Sequence, residues 1–135
     1  MLSATAKRVK GFETEVAIRG HRLTVDEPVD DGGGDAGPRP TELLAASLAT
    51  CTTVTIVMYA DRKGWDVGAI ETDVDFQAPS VHGQPSFEVN IRIPADLTDD
   101  QRERILTIAA KCPVHKTLAA QKVKIEDSLE LIEAG

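Results

Sequence analysis

Two cysteines, Cys51 and Cys112, are the side chains in this sequence best suited to covalent chemistry. They lie far apart along the chain, so they form no Cys-x-x-Cys motif and can act together only if the fold brings them together. Cys51 is at the centre of LLAASLATCTTVTIVMYA, residues 43–60, a stretch without a charge. A buried cysteine in such a stretch commonly packs as a small apolar side chain, which is one interpretation of Cys51.

Cys112 has a more informative neighbourhood, Cys112-Pro113-Val114-His115. Proline suits the first position of a helix, which makes Cys112 the N-cap of a helix that restarts there. Backbone N–H groups and the positive end of the helix dipole would then favour the thiolate and lower the thiol pKa from about 8.5. His115 and Lys116 add nearby donors or charge. The alternative is that Cys112 is the last apolar residue of the preceding helix.

Other chemistries fit the sequence less well. A structural zinc site usually needs close pairs of ligands, and among Cys51, Cys112 and the three histidines, His21, His82 and His115, only Cys112 and His115 are close. No Gly-x-Ser-x-Gly motif is present, and His115 has no identifiable orienting acid, which disfavours a hydrolase. The glycines of residues 26–40 lack the Gly-Lys-Ser/Thr of a phosphate loop and stand among aspartates. We therefore expect no metal and no nucleotide.

Length and charge set the broad class of the protein. The chain has 135 residues, which predicts one domain, and a net charge of −7, which disfavours nucleic acid and anionic membranes as partners. The N-terminus shows no apolar core of a secretory signal. Two cysteines without such a signal suggest a reducing compartment, so we expect a cytoplasmic protein with free thiols.

A long helix must position Cys51. It is predicted to begin near Pro40, with Glu42 in its first turn, and to end near Lys63 before Gly64. Its uncharged stretch is at the lower length limit of a membrane span, but alanines and spread threonines keep it weakly hydrophobic. A helix that is apolar all round must be buried on all sides, and this chain is short of material to wrap it. We therefore expect a second copy to cover one face, in a homodimer.

The remaining elements alternate between strands and helices and indicate an α+β fold. Alternating and β-branched residues predict strands at 15–18, 23–25, 69–76 and 87–93, and a last strand at 123–132. Arg19 to Arg22 would connect the first two strands, and residues 26–40 would form a loop. Thr98 and Gln101 fit a capping box that starts a helix over 99–111, and a short helix follows over 114–120.

Two motifs in this order resemble the OsmC/Ohr family. They are DEPVDDGGGDAGPRPTELLAASLATCTTVTIVMYADRKGW, residues 26–65, and KCPVHKTL, residues 111–118, within a pattern that covers residues 24–131. The chain looks most similar to the branch with DEP, GPxPxELL, the helix cysteine and CPVHKTL. The resemblance implies one OsmC-like domain over 1–135. It also implies an intertwined α+β homodimer, with curved antiparallel sheets around two long central helices.

The resemblance also implies an activity, the thiol-dependent reduction of hydroperoxides, organic ones preferred, in defence against oxidative stress. Cys51 matches the family's peroxidatic cysteine and Cys112 its resolving cysteine. The expected cycle runs through a Cys51 sulfenic acid and a Cys51–Cys112 disulfide that an external dithiol reduces, with no cofactor. An apolar wall of Leu44, Leu48 or Val54 would suit an organic peroxide.

The chain departs from the family pattern beside the peroxidatic thiol. The family's activating Glu would align with Thr41, and Glu42 is one position further, about 100° around a helix. The activating Arg has no secure match among Arg19, Arg39 and Arg8, and His115 is a further supporting candidate. These departures favour the alternative of an OsmC-fold protein that binds a small molecule or senses redox state without efficient peroxidase turnover.

Overall fold

A computed structural model describes residues 1–120 and 122–133. The order of elements confirms the expected α+β class, with two antiparallel sheets, one of three strands and one of two. The elements are the strands β1 (Thr5–Lys10), β2 (Glu13–Ile18) and β3 (His21–Val25), the helix α1 (Pro40–Lys63), the strands β4 (Glu71–Gln77) and β5 (Ser86–Arg92), and the helices α2 (Asp99–Ala109) and α3 (Pro113–Ala119).

The central helix α1 begins and ends where the sequence predicted. The Glu42 carboxylate accepts a hydrogen bond from the Arg39 backbone N–H at 2.9 Å, and so satisfies a donor at the helix start. Gly64 ends the helix with a φ of 72°, in the left-handed region that favours glycine. Four residues at intervals of four are buried along one face, namely Leu48, Thr52, Ile56 and Ala60. This spacing keeps one side of α1 against the rest of the chain.

The covered side of α1 packs on β4, α2 and α3. Its core joins Ile56 to Ile105 and Ala109 of α2, with partly buried apolar side chains of the β4–β5 layer around them. The Thr53 and Thr72 hydroxyls lie 2.7 Å apart and join α1 to β4. Along β4 every second residue, Thr72 included, is partly buried, which is the alternation that predicted this strand.

The opposite side of α1 is open in the single chain. By length and composition alone this helix could cross a membrane, and 22% of its apolar window is buried. Leu44, Val54 and Met58 are 41%, 50% and 60% exposed. The packing of two helices and a strand along the other side is that of a central helix in a layered fold.

The N-terminal sheet also leaves apolar groups open. Its order is β1-β2-β3, and Val16 of β2 stands opposite Leu23 of β3. Leu23 is 44% exposed, and Phe12, between β1 and β2, is more than half exposed. The connection of β2 and β3 is tighter than predicted, because strand pairing starts at His21 and leaves Arg19 and Gly20 as the turn.

The predicted last strand is wrong for the residues described. Residues 122–133 have no strand conformation. Val123, Ile125, Leu129 and Leu131 keep the alternation that motivated the prediction, but they are 60% to 90% exposed. A strand requires a hydrogen-bonded neighbour, and none of the described sheets includes this segment.

The glycine-rich loop before α1 is held by one buried carboxylate. Asp26 is 2% exposed and accepts hydrogen bonds from the backbone N–H groups of Glu27, Gly34 and Ala36, at 2.8, 3.2 and 3.1 Å. These bonds, that of Glu27 first, hold the pKa of Asp26 below its ordinary value, although burial opposes them. The backbone of the loop is therefore arranged around the negative charge of Asp26.

Two glycines let the backbone come close enough for this arrangement. A Cβ atom at Gly33 would lie 1.9 Å from the Glu27 carbonyl oxygen, and one at Gly37 would lie 2.1 Å from that of Thr24. Real Cβ atoms do not approach oxygen so closely, so larger residues would force the backbone apart. The glycines therefore serve a close backbone approach that fixes the start of α1.

We predict that Asp26→Asn lowers the free energy of unfolding at pH 7, because it removes the charge that three N–H groups bind. Since the folded-state pKa of Asp26 is lowered, its contribution is present above the unfolded value of about 3.9 and is lost as the pH falls through the folded value. Urea unfolding at pH 7 and pH 3 should show a difference from wild type that shrinks at pH 3. Asp35→Asn, at an exposed residue of the same loop, is the control. A constant difference, or an equal loss in the control, would contradict the assignment.

Candidate active site

The fold brings the two cysteines together. Cys51 lies in the middle of α1 and is partly exposed, whereas Cys112 precedes α3 and has no exposed surface. Helices α1 and α3 pack on each other, and the Cys51 thiol is close enough to Cys112 to interact with it by hydrogen bonding. Both cysteines are free thiols. The structure thus forms a pair with one buried sulfur and one that reaches the surface.

Local sequence explains how Cys112 is held. Cys112 is the N-cap of α3, as predicted, with Pro113 at the first helical position. The His115 backbone N–H donates to Sγ of Cys112 at 3.3 Å, and that of Lys116 donates to its carbonyl oxygen at 3.0 Å. Cys112 also continues the buried face of Ile105 and Ala109. The N-cap interpretation is therefore confirmed, whereas the alternative is wrong because α2 ends at Ala109, before Cys112.

The expectation of a lowered pKa at Cys112 is wrong. Burial raises the pKa of the Cys112 thiol above its ordinary value, and the hydrogen bond with the Cys51 thiol raises it further. The backbone N–H groups of His115 and Val114 act in the opposite direction, but they are outweighed. A seven-residue helix supplies few aligned dipoles, while full loss of water strongly disfavours the charged form. Cys112 is therefore a neutral thiol at pH 7.

A largely apolar cavity of about 160 Å³ lies between α1, β5 and α3, and neither cysteine is among its lining residues. Leu48 lies one helical turn before Cys51, and His115 lies in the first turn after Cys112. The cavity is lined by Leu48, Phe87, Val89, His115, Leu118 and Ala119. The predicted wall of Leu44, Leu48 and Val54 is not one wall in this chain. Val54 lines a different cavity together with Thr50 and Thr53, because it is six residues from Leu48 and therefore lies on a different side of the helix.

The predicted supporting residues at the start of α1 do not reach Cys51 in the same chain. Glu42 precedes Cys51 by nine residues, which is about 13 Å along the axis and half a turn around it. The Arg39 guanidinium lies 2.9 Å from the Asp31 carboxylate and 3.9 Å from that of Glu42. This cluster closes the loop onto the helix start. A role for Arg39 or Glu42 at the thiols stays a prediction.

The other charged candidates lie on the N-terminal sheet. Arg19 is exposed in the β2–β3 turn with a φ of 55°, an uncommon conformation for a residue with a side chain. The Nε atom of Arg8 donates to the Gly11 carbonyl oxygen at 2.8 Å. His21 and His82 are exposed. Within residues 1–120 and 122–133, no group of three or more His, Cys, Asp or Glu side chains is arranged to hold a metal ion.

The cavity walls include residues that the sequence did not single out. Leu118 is three positions from His115, so helical spacing alone could have placed both on one side of α3. Phe87 and Val89 come from β5, a distant part of the chain. Their alternation marks a sheet face, but nothing local says which helix covers that face. These two residues could not be found without the fold.

Comparison with known proteins identifies the family. The sequence profile of OsmC-like proteins matches residues 32–127, which contain both cysteines. The chain belongs to the OsmC-like family. A Haloferax volcanii protein of uncharacterised function is 26% identical over 90 residues, which are 65% of this chain and 68% of the relative.

Solved structures share the OsmC-like fold. One is a candidate osmotic stress induced and detoxification response protein from Psychrobacter arcticus, with a TM-score of 0.77, 24% identity, and 86% and 87% of the two chains covered. Another is an organic hydroperoxide resistance protein, OsmC, from Legionella pneumophila, with a TM-score of 0.66, 20% identity, and 88% and 89% covered. At these identities the likeness establishes the fold, and the resemblance in sequence is confirmed at the level of the family.

The state of Cys112 can be tested directly. In a Cys51→Ala variant we predict that Cys112 still titrates above about 8.5, because burial is the larger cause of its raised pKa. It should titrate lower than in wild type, because the neutral Cys112 thiol can no longer donate a hydrogen bond to Cys51. Thiolate absorbance at 240 nm against pH measures this, with Cys112→Ala as the matched control. A Cys112 thiolate that forms below pH 8 would show that the backbone N–H groups dominate.

Proposed function

We propose that this OsmC-like protein is a thiol peroxidase that reduces organic hydroperoxides with Cys51 and Cys112. The observation that carries the proposal is the proximity of a partly exposed thiol to a buried, neutral one, on two helices that pack on each other. Such a pair can be oxidised in sequence, because the first sulfur meets the peroxide and the second waits beside it. The name of the Legionella relative, an organic hydroperoxide resistance protein, supports the same class of substrate.

The cycle follows from the positions of the two sulfurs. The Cys51 thiolate attacks the O–O bond, which breaks to leave a sulfenic acid on Cys51 and an alcohol that takes one proton. The Cys112 thiol then attacks the sulfenic sulfur. Its proton and the hydroxyl group leave as water, and the Cys51–Cys112 disulfide forms. Two electrons pass from the thiols to the peroxide, and an external dithiol returns them.

The cavity lined by Leu48 and His115, near neighbours in sequence of the two cysteines, suits the organic part of the substrate. Its walls are aliphatic and aromatic except for His115, and Leu48 brings it to the turn of α1 that precedes Cys51. A volume of about 160 Å³ accommodates a small branched or aromatic substituent. Hydrogen peroxide would leave these walls in contact with water. We therefore propose that alkyl and aryl hydroperoxides are preferred.

We also propose that the protein acts as a homodimer in a reducing, cytoplasmic compartment. The outer side of α1, the apolar side of the N-terminal sheet and the segment 122–133 all expose apolar residues in one chain. A second copy of the chain would cover these groups and offer 122–133 the neighbouring strand that it lacks. A reducing compartment is needed to regenerate the thiols after each cycle.

A second function has one observation in its favour. Arg39 and Glu42 are engaged with each other and with Asp31, away from Cys51. A peroxidase benefits from a cation and a carboxylate that hold its thiolate. If these groups do not reach Cys51 in the dimer, the same fold would serve to bind a small apolar molecule or to sense redox state.

The peroxidase proposal predicts the outcome of adding one equivalent of tert-butyl hydroperoxide to the reduced protein. Both thiols should disappear within seconds, the intact mass should fall by two hydrogens, and dithiothreitol should restore it. Cys51→Ser should consume no peroxide, whereas Cys112→Ser should stop at the sulfenic acid or become over-oxidised. Thiols that survive minutes of exposure would exclude the peroxidase and favour the binding protein.

The dimer proposal predicts that Met58→Glu weakens self-association, because it places a charge on the open apolar side of α1. Gln84→Glu adds the same charge in the exposed loop between β4 and β5 and is the matched control. Light scattering coupled to size exclusion should show a dimer for wild type and the control, and monomer for Met58→Glu at low concentration. A wild-type monomer, or an unaffected Met58→Glu dimer, would refute the arrangement.

A further inference from the structure

The two sulfurs of the pair differ in their access to an external thiol. Cys112 has no exposed surface even in a single chain, and a second copy of the chain can only cover it further. Cys51 is partly exposed on α1. Thiol exchange requires the attacking sulfur to approach the disulfide in line, from the side opposite the leaving sulfur. Cys112 is fully enclosed and offers no surface for such an approach, whereas Cys51 does.

We propose that the thiol that reduces the Cys51–Cys112 disulfide attacks Sγ of Cys51 and that Sγ of Cys112 is the leaving group. This inference rests on the pair described in the proposed function and assigns the direction of its reductive half. It gives Cys51 the contact with both outside reactants, the oxidant and the reductant. Cys112 then reacts only with Cys51.

Two external thiols reduce the disulfide in two exchange steps. The external thiolate forms an S–S bond to Cys51 while the Cys51–Cys112 bond breaks. The electron pair of the broken bond goes to Cys112, which takes a proton. A second external thiolate attacks the external sulfur of the mixed disulfide and releases Cys51 as a thiolate. Two external thiols have then become one disulfide, and the protein has gained two electrons.

The raised pKa of the leaving thiol Cys112 opposes attack on Cys51, whereas the accessibility of Cys51 favours it. A sulfur whose thiol has a raised pKa leaves more slowly, and burial raises the pKa of Cys112. The His115 N–H, 3.3 Å from Sγ of Cys112, partly offsets this cost because it would donate to the departing thiolate. Attack on Cys112 instead requires α3 to move away from the core before any reaction. Access therefore decides the direction.

The test uses the disulfide formed with diamide, so it does not depend on peroxidase activity. The oxidised wild-type protein, its mass lower by two hydrogens, is mixed with cysteamine and quenched with acid after short intervals. Trypsin separates the cysteines, because Cys112 lies between Lys111 and Lys116 and Cys51 lies in another peptide. We expect the cysteamine adduct on Cys51. An adduct mainly on Cys112, or the absence of a disulfide after diamide, would overturn the inference.

Single-cysteine variants provide a second measurement. Cys112→Ser and Cys51→Ser are matched to each other, and each leaves one thiol to react with an aromatic disulfide reagent at pH 8. We expect Cys51 to react at least ~100-fold faster than Cys112, whose reaction requires local opening of a buried site. Circular dichroism and thermal melts confirm that both variants are folded. Equal rates in two folded variants would contradict the proposal. If a variant does not fold, the wild-type mapping decides.

A normal adduct on Cys51 together with no consumption of peroxide would separate the two proposals. The inference about the reductant would then hold for a redox-sensing dithiol, and the peroxidase would be excluded. Peroxide consumption together with an adduct on Cys112 would support the peroxidase and would refute the inference that the reductant attacks Cys51.

Discussion

The packing of α1 against α3 is the constraint on which the site depends. It places a thiol in the middle of one helix against a thiol at the first turn of another, and it removes the second thiol from water. Proline at the start of α3 fixes where that helix begins, and the buried residues of α1 fix how deeply it sits. Because interiors are close-packed, a shift of either helix would separate the sulfurs. The proximity of the two thiols is therefore a property of helix packing.

Burial gives the two thiols different surroundings. A neutral, enclosed Cys112 is a poor target for oxidants and metal ions, yet it remains near the sulfur with which the proposed cycle pairs it. In the proposed cycle, Cys51 meets the solvent side and Cys112 closes the disulfide from inside. The loop around Asp26 contributes at a distance, since its hydrogen bonds set the backbone that leads into α1. The site thus relies on a loop that touches neither thiol.

The single chain leaves several apolar surfaces uncovered. One side of α1, one side of the N-terminal sheet and the segment 122–133 all leave apolar groups in water. Burial of such groups is worth roughly 25 cal/mol per Å², so covering these three surfaces would favour the proposed dimer. In the proposed dimer the segment 122–133 would gain a strand neighbour. A cation near Cys51 would then come from an element of the second copy that lies close to this thiol. Arg19, in its strained turn, is one such element.

Most of the elements and the chemical identity of the site could be predicted from the sequence. Periodicity, capping residues and Gly/Pro positions gave both ends of α1, the start of α2 and the strands β4 and β5 to within two residues, because these signals are local, but they did not give β1. The same signals failed for residues 123–132, where the alternation is present but pairing depends on a neighbour that no local rule supplies. Motifs gave the family and both cysteines. The fold was needed to show that the thiols lie near each other, that Cys112 is neutral rather than activated, and that Phe87 and Val89 line the cavity. Contact, desolvation and cavity shape arise from residues distant in sequence, and for Cys112 the loss of water outweighed the local helix effect that its motif had suggested.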